Sequence, residues 1–129
     1  MLWYIAAGSA IGGVGRYLLG GAIQRATAGT FPVGTLWINL TGSFLLGLIL
    51  RYGVDAPTLS PEVRAFLTVG LCGGYTTFST FSYETVALIQ DGEWARAALY
   101  VALSLGLSLL ATWLGIVVAR EVVLVRGNA

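Results

Sequence analysis

Histidine and lysine are absent from this 129-residue sequence, and cysteine occurs once. Without histidine there is no Ser-His-Asp triad, no Cys-His dyad and no histidine-bearing zinc site. The single cysteine, Cys72, allows no internal disulfide, and inside an apolar run it reads as a small packing residue. Charge is scarce as well: 10% of residues are charged, against roughly a quarter in soluble domains. Seven arginines against six acids leave a net charge of +1, which excludes a nucleic-acid patch, a polybasic lipid binder and an acidic tail. What abounds is apolar, at 57% of residues and a mean hydropathy of +0.82. A soluble 13.6 kDa domain has too much surface for its volume to hide that much apolar side chain. The solvent must be mostly lipid.

Three uncharged runs, 33–50, 65–83 and 97–119, are each long enough to cross a bilayer core of about 30 Å as a helix. A fourth, 2–24, is apolar apart from Arg16. Its start, Met1-Leu2-Trp3-Tyr4, lacks the basic leader of a signal peptide and is expected to belong to a retained first span. The linkers are short: 25–32 carries Gly, Thr and Pro, 51–64 carries Pro57 and Pro61, and 84–96 carries Asp91-Gly92-Glu93. Trp3, Tyr4, Trp37, Tyr52, Trp94 and Trp113 lie mostly near span ends, as an interfacial aromatic belt would. No alternation of β-barrel type is present. The expectation is an all-α membrane protein, a single domain over 1–129, with spans near 2–24, 33–51, 64–83 and 96–119.

Orientation is not written in the charges. With four spans, Arg51, Arg64, Arg120 and Arg126 share one side, and Arg16, Arg25 and Arg96 the other. Four against three is no clear positive-inside excess. Either a handful of arginines is too small a sample, or the chain inserts both ways round and pairs antiparallel; charge counting leaves both open. Gly8 with Gly12, Ser9 with Gly13, and Gly34, Gly42 and Gly47 invite close helix contact. Packing within one subunit accounts for most of these, with a surplus left for a dimer.

Polar residues stand where lipid should exclude them. Thr35, Asn39 and Ser43 share one helix face, and so do Tyr100, Ser104, Ser108 and Thr112. A single hydroxyl is readily satisfied by its own helix, but the Asn39 carboxamide needs a partner or an aqueous passage. Two such stripes fit a narrow polar route, with interhelical hydrogen bonding as the rival reading. In the third span, Gly73-Gly74 followed by Tyr75-Thr76-Thr77-Phe78-Ser79-Thr80-Phe81-Ser82 predicts a helix broken mid-membrane near 73–77. Broken helices free main-chain carbonyls, which suit a hard cation, and a half-helix N-terminus with a positive dipole end. Phe78 and Phe81 stand three apart among five hydroxyl-bearing residues.

Neutral donors and ring edges favour an anion over a cation. No acid lies inside any of the four runs, so there is no carboxylate ring for cations and no titratable proton carrier. Phenyl edges carry partial positive charge. Dehydrating a small ion costs on the order of 20 kcal/mol in the idealised limit, and one donor to a charged group returns only about 1.5–3 kcal/mol, so a series of donors is required.

At these residues the chain resembles the Fluc (CrcB-type) fluoride channels of microorganisms. The likeness runs through the four spans, the near-neutral arginine balance, Asn39-x-x-Gly42 and the block from Gly73 to Ser82. It implies an antiparallel, dual-topology homodimer with two pores, each lined by both subunits, exporting cytoplasmic fluoride across the inner (plasma) membrane. It also implies a structural Na⁺ that is not transported, held by the carbonyls of Gly73 and Thr76. Phe78 and Phe81 become ring-edge fluoride contacts, Asn39 the pore amide, and Tyr100, Ser104 and Ser108 the fourth-span polar track. Arg16 matches an arginine near a pore vestibule, where it would concentrate anions. Tyr75 and Cys72 match no known role. On this reading the protein is not an enzyme, and its partners are fluoride, a second copy of itself and the bilayer, not nucleic acid.

The alternative is a small multidrug-resistance-type proton-coupled exporter, which needs a carboxylate inside the membrane. Glu84, just after the third-span block, is the only acid adjoining a span interior. A non-transporting assembly subunit would explain the glycines but neither the hydroxyl stripes nor the broken helix, and an intramembrane enzyme lacks a base.

Overall fold

The computed structural model describes residues 1–55 and 59–127; Pro57 and the side chain of Arg126 lie outside the described residues. Among those residues there are helices and no strands. α1 (Leu2–Thr27) and α2 (Val33–Asp55) are continuous. α1 stops where Ala28 turns left-handed at φ 47°, and α2 starts just after Pro32. The third passage opens with α3 (Pro61–Ala65), capped by the Ser60 hydroxyl accepting from the Val63 N–H with Pro61 in the first turn. It widens into a π-helical segment (Phe66–Cys72), returns to a short α4 (Gly73–Tyr75), breaks, and resumes as α5 (Phe78–Gln90). α6 (Trp94–Gly127) has 34 residues and is about 51 Å long at 1.5 Å per residue.

By length and composition, α2 and the Trp94–Val125 stretch of α6 are apolar enough to cross a membrane. Large apolar side chains face outward along the chain, Trp3, Tyr17, Phe78 and Leu109 among them, and among the described residues Tyr100 and Ile38 are the largest that are fully buried. Such an outside suits lipid rather than water.

Two details of the expected layout need correction. Helices overrun the uncharged runs, so the last linker shrinks from 84–96 to 91–93, and Glu84 lies within α5. The break falls inside the expected 73–77 window, at Thr76 (φ −79°, ψ 157°) and Thr77 (φ −150°, ψ 110°), but its expected cause does not hold, since Gly73 is helical at φ −64°. The glycine pair does not bend the chain.

What Gly74 provides is space. α1 lies backbone to backbone on the first half of the third passage: a Cβ on Gly12 would run into Leu71 O and stand 2.8 Å from Tyr75 N, and one on Gly74 would stand 2.7 Å from Ser9 O. Gly8 meets Gly70 in the same way. α2 and α6 pack equally closely through Gly47, against Thr112 O, and Gly115, against Phe44 O. These glycines are spent inside one subunit, as close contact between membrane helices requires. Gly13, by contrast, has open space around it. α5 packs on α6 and touches α2, while α1 and α5 do not meet, which leaves a cleft between them above α2.

Candidate functional site

The break sets the site. In a continuous helix the Thr77 N–H would bond Gly73 O and the Thr80 N–H would bond Thr76 O. Here the Thr77 N–H donates to Asn39 Oδ1 at 2.7 Å, and the Thr80 N–H donates to Thr77 Oγ1 at 3.2 Å. Asn39 Nδ2 donates in turn to Thr77 O at 3.1 Å. One carboxamide from α2 thus takes both main-chain groups of a buried residue, and the Thr77 hydroxyl caps α5. The Thr76 side chain fills the notch left by Gly42, and Tyr75 braces the same wall through its hydroxyl, 3.0 Å from Thr41 Oγ1.

Gly73 O and Thr76 O are thereby stripped of their α-helical partners. Thr76 O keeps a long contact to Arg16 Nη1 at 3.5 Å. Among the described residues no three His, Cys, Asp or Glu side chains cluster. The donors that fit a cation here are neutral main-chain oxygens at the negative end of a half-helix, the chemistry of a hard alkali-ion site rather than a transition-metal one.

Beside the break lies a cavity of about 290 Å³. Asn39 and Ser43 line it from α2, Thr76 and Thr77 from the break, Phe78 and Phe81 from α5, and Ser104, Ser108 and Thr112 from α6. Both polar stripes converge there, together with five of the six residues expected along the pore. The Thr112 hydroxyl is satisfied by Ser108 O on its own helix at 3.0 Å. Ser104 Oγ is not satisfied: the residue is 6% exposed and its hydroxyl has no hydrogen-bond partner among the described residues. A buried hydroxyl left so costs about 1–3 kcal/mol. The phenyl pair is asymmetric, with rings 5.4 Å apart, Phe81 buried and Phe78 74% exposed.

Tyr100 is elsewhere. It is fully buried between Phe81 (5.2 Å) and Phe31 (5.6 Å), does not line the cavity, and donates its hydroxyl proton to Glu84 Oε2 at 2.6 Å. The other carboxylate oxygen accepts from Thr35 Oγ1 at 2.8 Å. The leading residues of both stripes therefore meet on one acid, Glu84, which lies just beyond the uncharged run 65–83. Its signal in the sequence was faint: an acid one turn after Phe81, level with the first member of each stripe.

The cleft between α1 and α5, of about 640 Å³, is lined by Arg16, Gln24, Thr35, Thr80 and Glu84 among others. Thr77 borders both spaces. Polar groups thus run from Arg16 and Glu84 in the cleft, past the Asn39–Thr77 clamp, to Ser104 and Ser108 in the cavity. Cys72 is buried and free.

An apolar-faced, all-helical chain with a polar line threading past a broken helix is a helical membrane protein. The chain belongs to the CrcB family: the model of the CrcB-like protein, Camphor Resistance (CrcB), matches residues 3–116. It is 53% identical over 123 residues to the fluoride-specific ion channel FluC of Paramagnetospirillum magneticum, covering 92% of this chain and 96% of that protein. Against the protein of the same name from Geobacter sulfurreducens, identity is 48% over 117 residues (91% and 94% covered), and against that from Flavobacterium psychrophilum 43% over 120 (93% and 97%).

Proposed function

We propose that this protein is a fluoride-specific ion channel that passively exports cytoplasmic fluoride across the plasma membrane. Relatives bearing that name match it over nearly their whole length. The observation that carries the reading is the unpartnered Ser104 hydroxyl, on a residue that lines a cavity together with Asn39, Ser108 and two phenyl rings. An anion entering there meets neutral donors and ring edges, which replace hydration without holding it as a fixed arginine would. Arg16 in the cleft would raise the local anion concentration.

In this reading four passages cross the membrane, the third as two half-helices, and two copies pair antiparallel so that each pore is lined by both. The open space around Gly13 and the exposed Phe78 ring leave room for contacts with a second copy. Gly73 and Thr76 would hold a structural sodium ion through the carbonyls freed at the break. When bound, that ion would supply a fixed positive charge between the broken helices. The proton-coupled exporter gains Glu84 as its candidate carboxylate, but both oxygens are committed to Thr35 and Tyr100.

Efflux from liposomes holding the purified protein, followed with a fluoride-selective electrode and compared with chloride, tests the reading. Fluoride efflux without chloride efflux is expected. Equal passage of both, or none of either, would refute it.

A further inference from the structure

A glutamine one turn from the end of an apolar helix needs partners, and Gln24 has three. Its Nε2 donates to Gly29 O at 2.9 Å and Phe31 O at 3.0 Å, and its Oε1 accepts from the Gly34 N–H at 3.0 Å. All three are main-chain groups of the α1–α2 loop or of the first turn of α2, where an N–H has no helical partner of its own. A second clamp grips the loop from α6: Arg96 Nη1 donates to Thr30 Oγ1 and to Glu93 Oε2, both at 2.7 Å. Gly29, Thr30 and Phe31 are thus held in sequence from two helices.

What the clamps present is Phe31. Its ring meets Tyr100 edge-on, with centroids 5.6 Å apart and planes at 79°. Tyr100, wedged between Phe31 and Phe81, bonds the Glu84 carboxylate at the cleft. The contacts form an unbroken chain: Gln24, loop, Phe31, Tyr100, Glu84.

We infer that Gln24 is a positioning residue for the polar line, acting through Phe31 to hold Tyr100, and with it the Glu84 carboxylate, in place at the cleft. A glutamine that merely staples a loop would steady the protein as a whole. One that acts through Phe31 has a narrower signature: once Phe31 is altered, removing Gln24 has nothing further to change.

The inference rests on the channel reading for its flux readout only, and the test is a double-variant cycle on the full-length protein in liposomes. Gln24→Met keeps side-chain length and removes all three hydrogen bonds; Phe31→Leu removes the edge-on ring. Each alone should slow fluoride efflux about fivefold or more, the ratio to which one net hydrogen bond amounts. The double variant should be no slower than Phe31→Leu. The second readout does not depend on transport. Ala97 is 3% exposed in the buried cluster against which Phe31 packs, and Cys72, 2% exposed, lies in the third passage beside the far half of α1. In an Ala97→Cys background, Gln24→Met should raise thiol labelling at position 97 about fivefold or more and leave Cys72 protected, with no further rise when Phe31→Leu is already present. Effects that multiply in the double variant, equal acceleration at Cys72, or no change at position 97 would overturn the inference. If the parent protein passes no fluoride, the channel reading falls, and the labelling result still decides the role of Gln24.

Discussion

Asn39 holds Thr77 by both of its main-chain groups, donating to the carbonyl at 3.1 Å and accepting the N–H at 2.7 Å. That pairing makes a broken helix tolerable in an apolar surrounding, because an extended residue there would otherwise leave two polar groups unpaired. It also frees the Gly73 carbonyl, whose partner in a continuous helix would have been the Thr77 N–H.

Asn39→Ala should therefore act on folding before it acts on transport. Leaving Thr77 unpaired costs about 1–3 kcal/mol per buried group, so unfolding in detergent should shift by at least that much. An Asn39→Ala protein as stable as the parent would show that the clamp is dispensable.

Gly12 and Gly13 are neighbours in sequence with opposite surroundings. Gly12→Ala would press a Cβ into the main chain at Leu71 and Tyr75, whereas Gly13→Ala would meet nothing within 4 Å. Gly12→Ala should cost about 1–3 kcal/mol or more in thermal unfolding, and Gly13→Ala almost nothing. If Gly13→Ala leaves a single chain stable yet shifts the protein toward monomers, the open flank is where two copies meet.

At the proposed cation site the ligands are carbonyls, so side chains there should matter through shape alone. Thr76→Ser keeps the hydroxyl that bonds Cys72 O at 2.9 Å, and Gly73→Ala would place a Cβ 3.7 Å from Thr68 O with the backbone already helical. Both variants should retain most of the flux. Exchanging sodium for a bulky organic cation on both faces, with hours to equilibrate, should instead abolish it slowly. Flux that persists unchanged would leave Gly73 and Thr76 without a cation to hold.

Adding a few lysines or arginines to one set of termini should fix one orientation and reduce function in a chain expressed alone, with recovery on co-expression of an oppositely biased one. Full activity from one strongly biased chain would contradict the antiparallel dimer.

The helices were legible because lipid leaves little freedom: long uncharged runs and hydroxyl stripes at four-residue spacing have few readings. The Gly73–Ser82 block marked the broken region, and the break sits inside it, at Thr76–Thr77 rather than at the glycines. Local propensity names glycine as the helix breaker, but Gly74 is occupied by the approach of Ser9, a contact that no nearby residue announces. Spacing grouped Tyr100 with Ser104 and Ser108. What separated them was the course of α5 after the break, which carries Glu84 across to the Tyr100 hydroxyl and leaves the two serines beside the phenyl pair. A face can be read along one helix, but the angle at which another helix arrives cannot.

The central claim, passive fluoride conduction along the Asn39–Ser104 line, is tested most directly by fluoride efflux from liposomes at equal pH on both sides, comparing the parent protein with Ser104→Ala. The account predicts efflux from the parent without any proton gradient and a rate about tenfold or more lower in Ser104→Ala, since one donor to the ion is lost. Efflux that appears only under a pH gradient, or that is indifferent to Ser104, would contradict it.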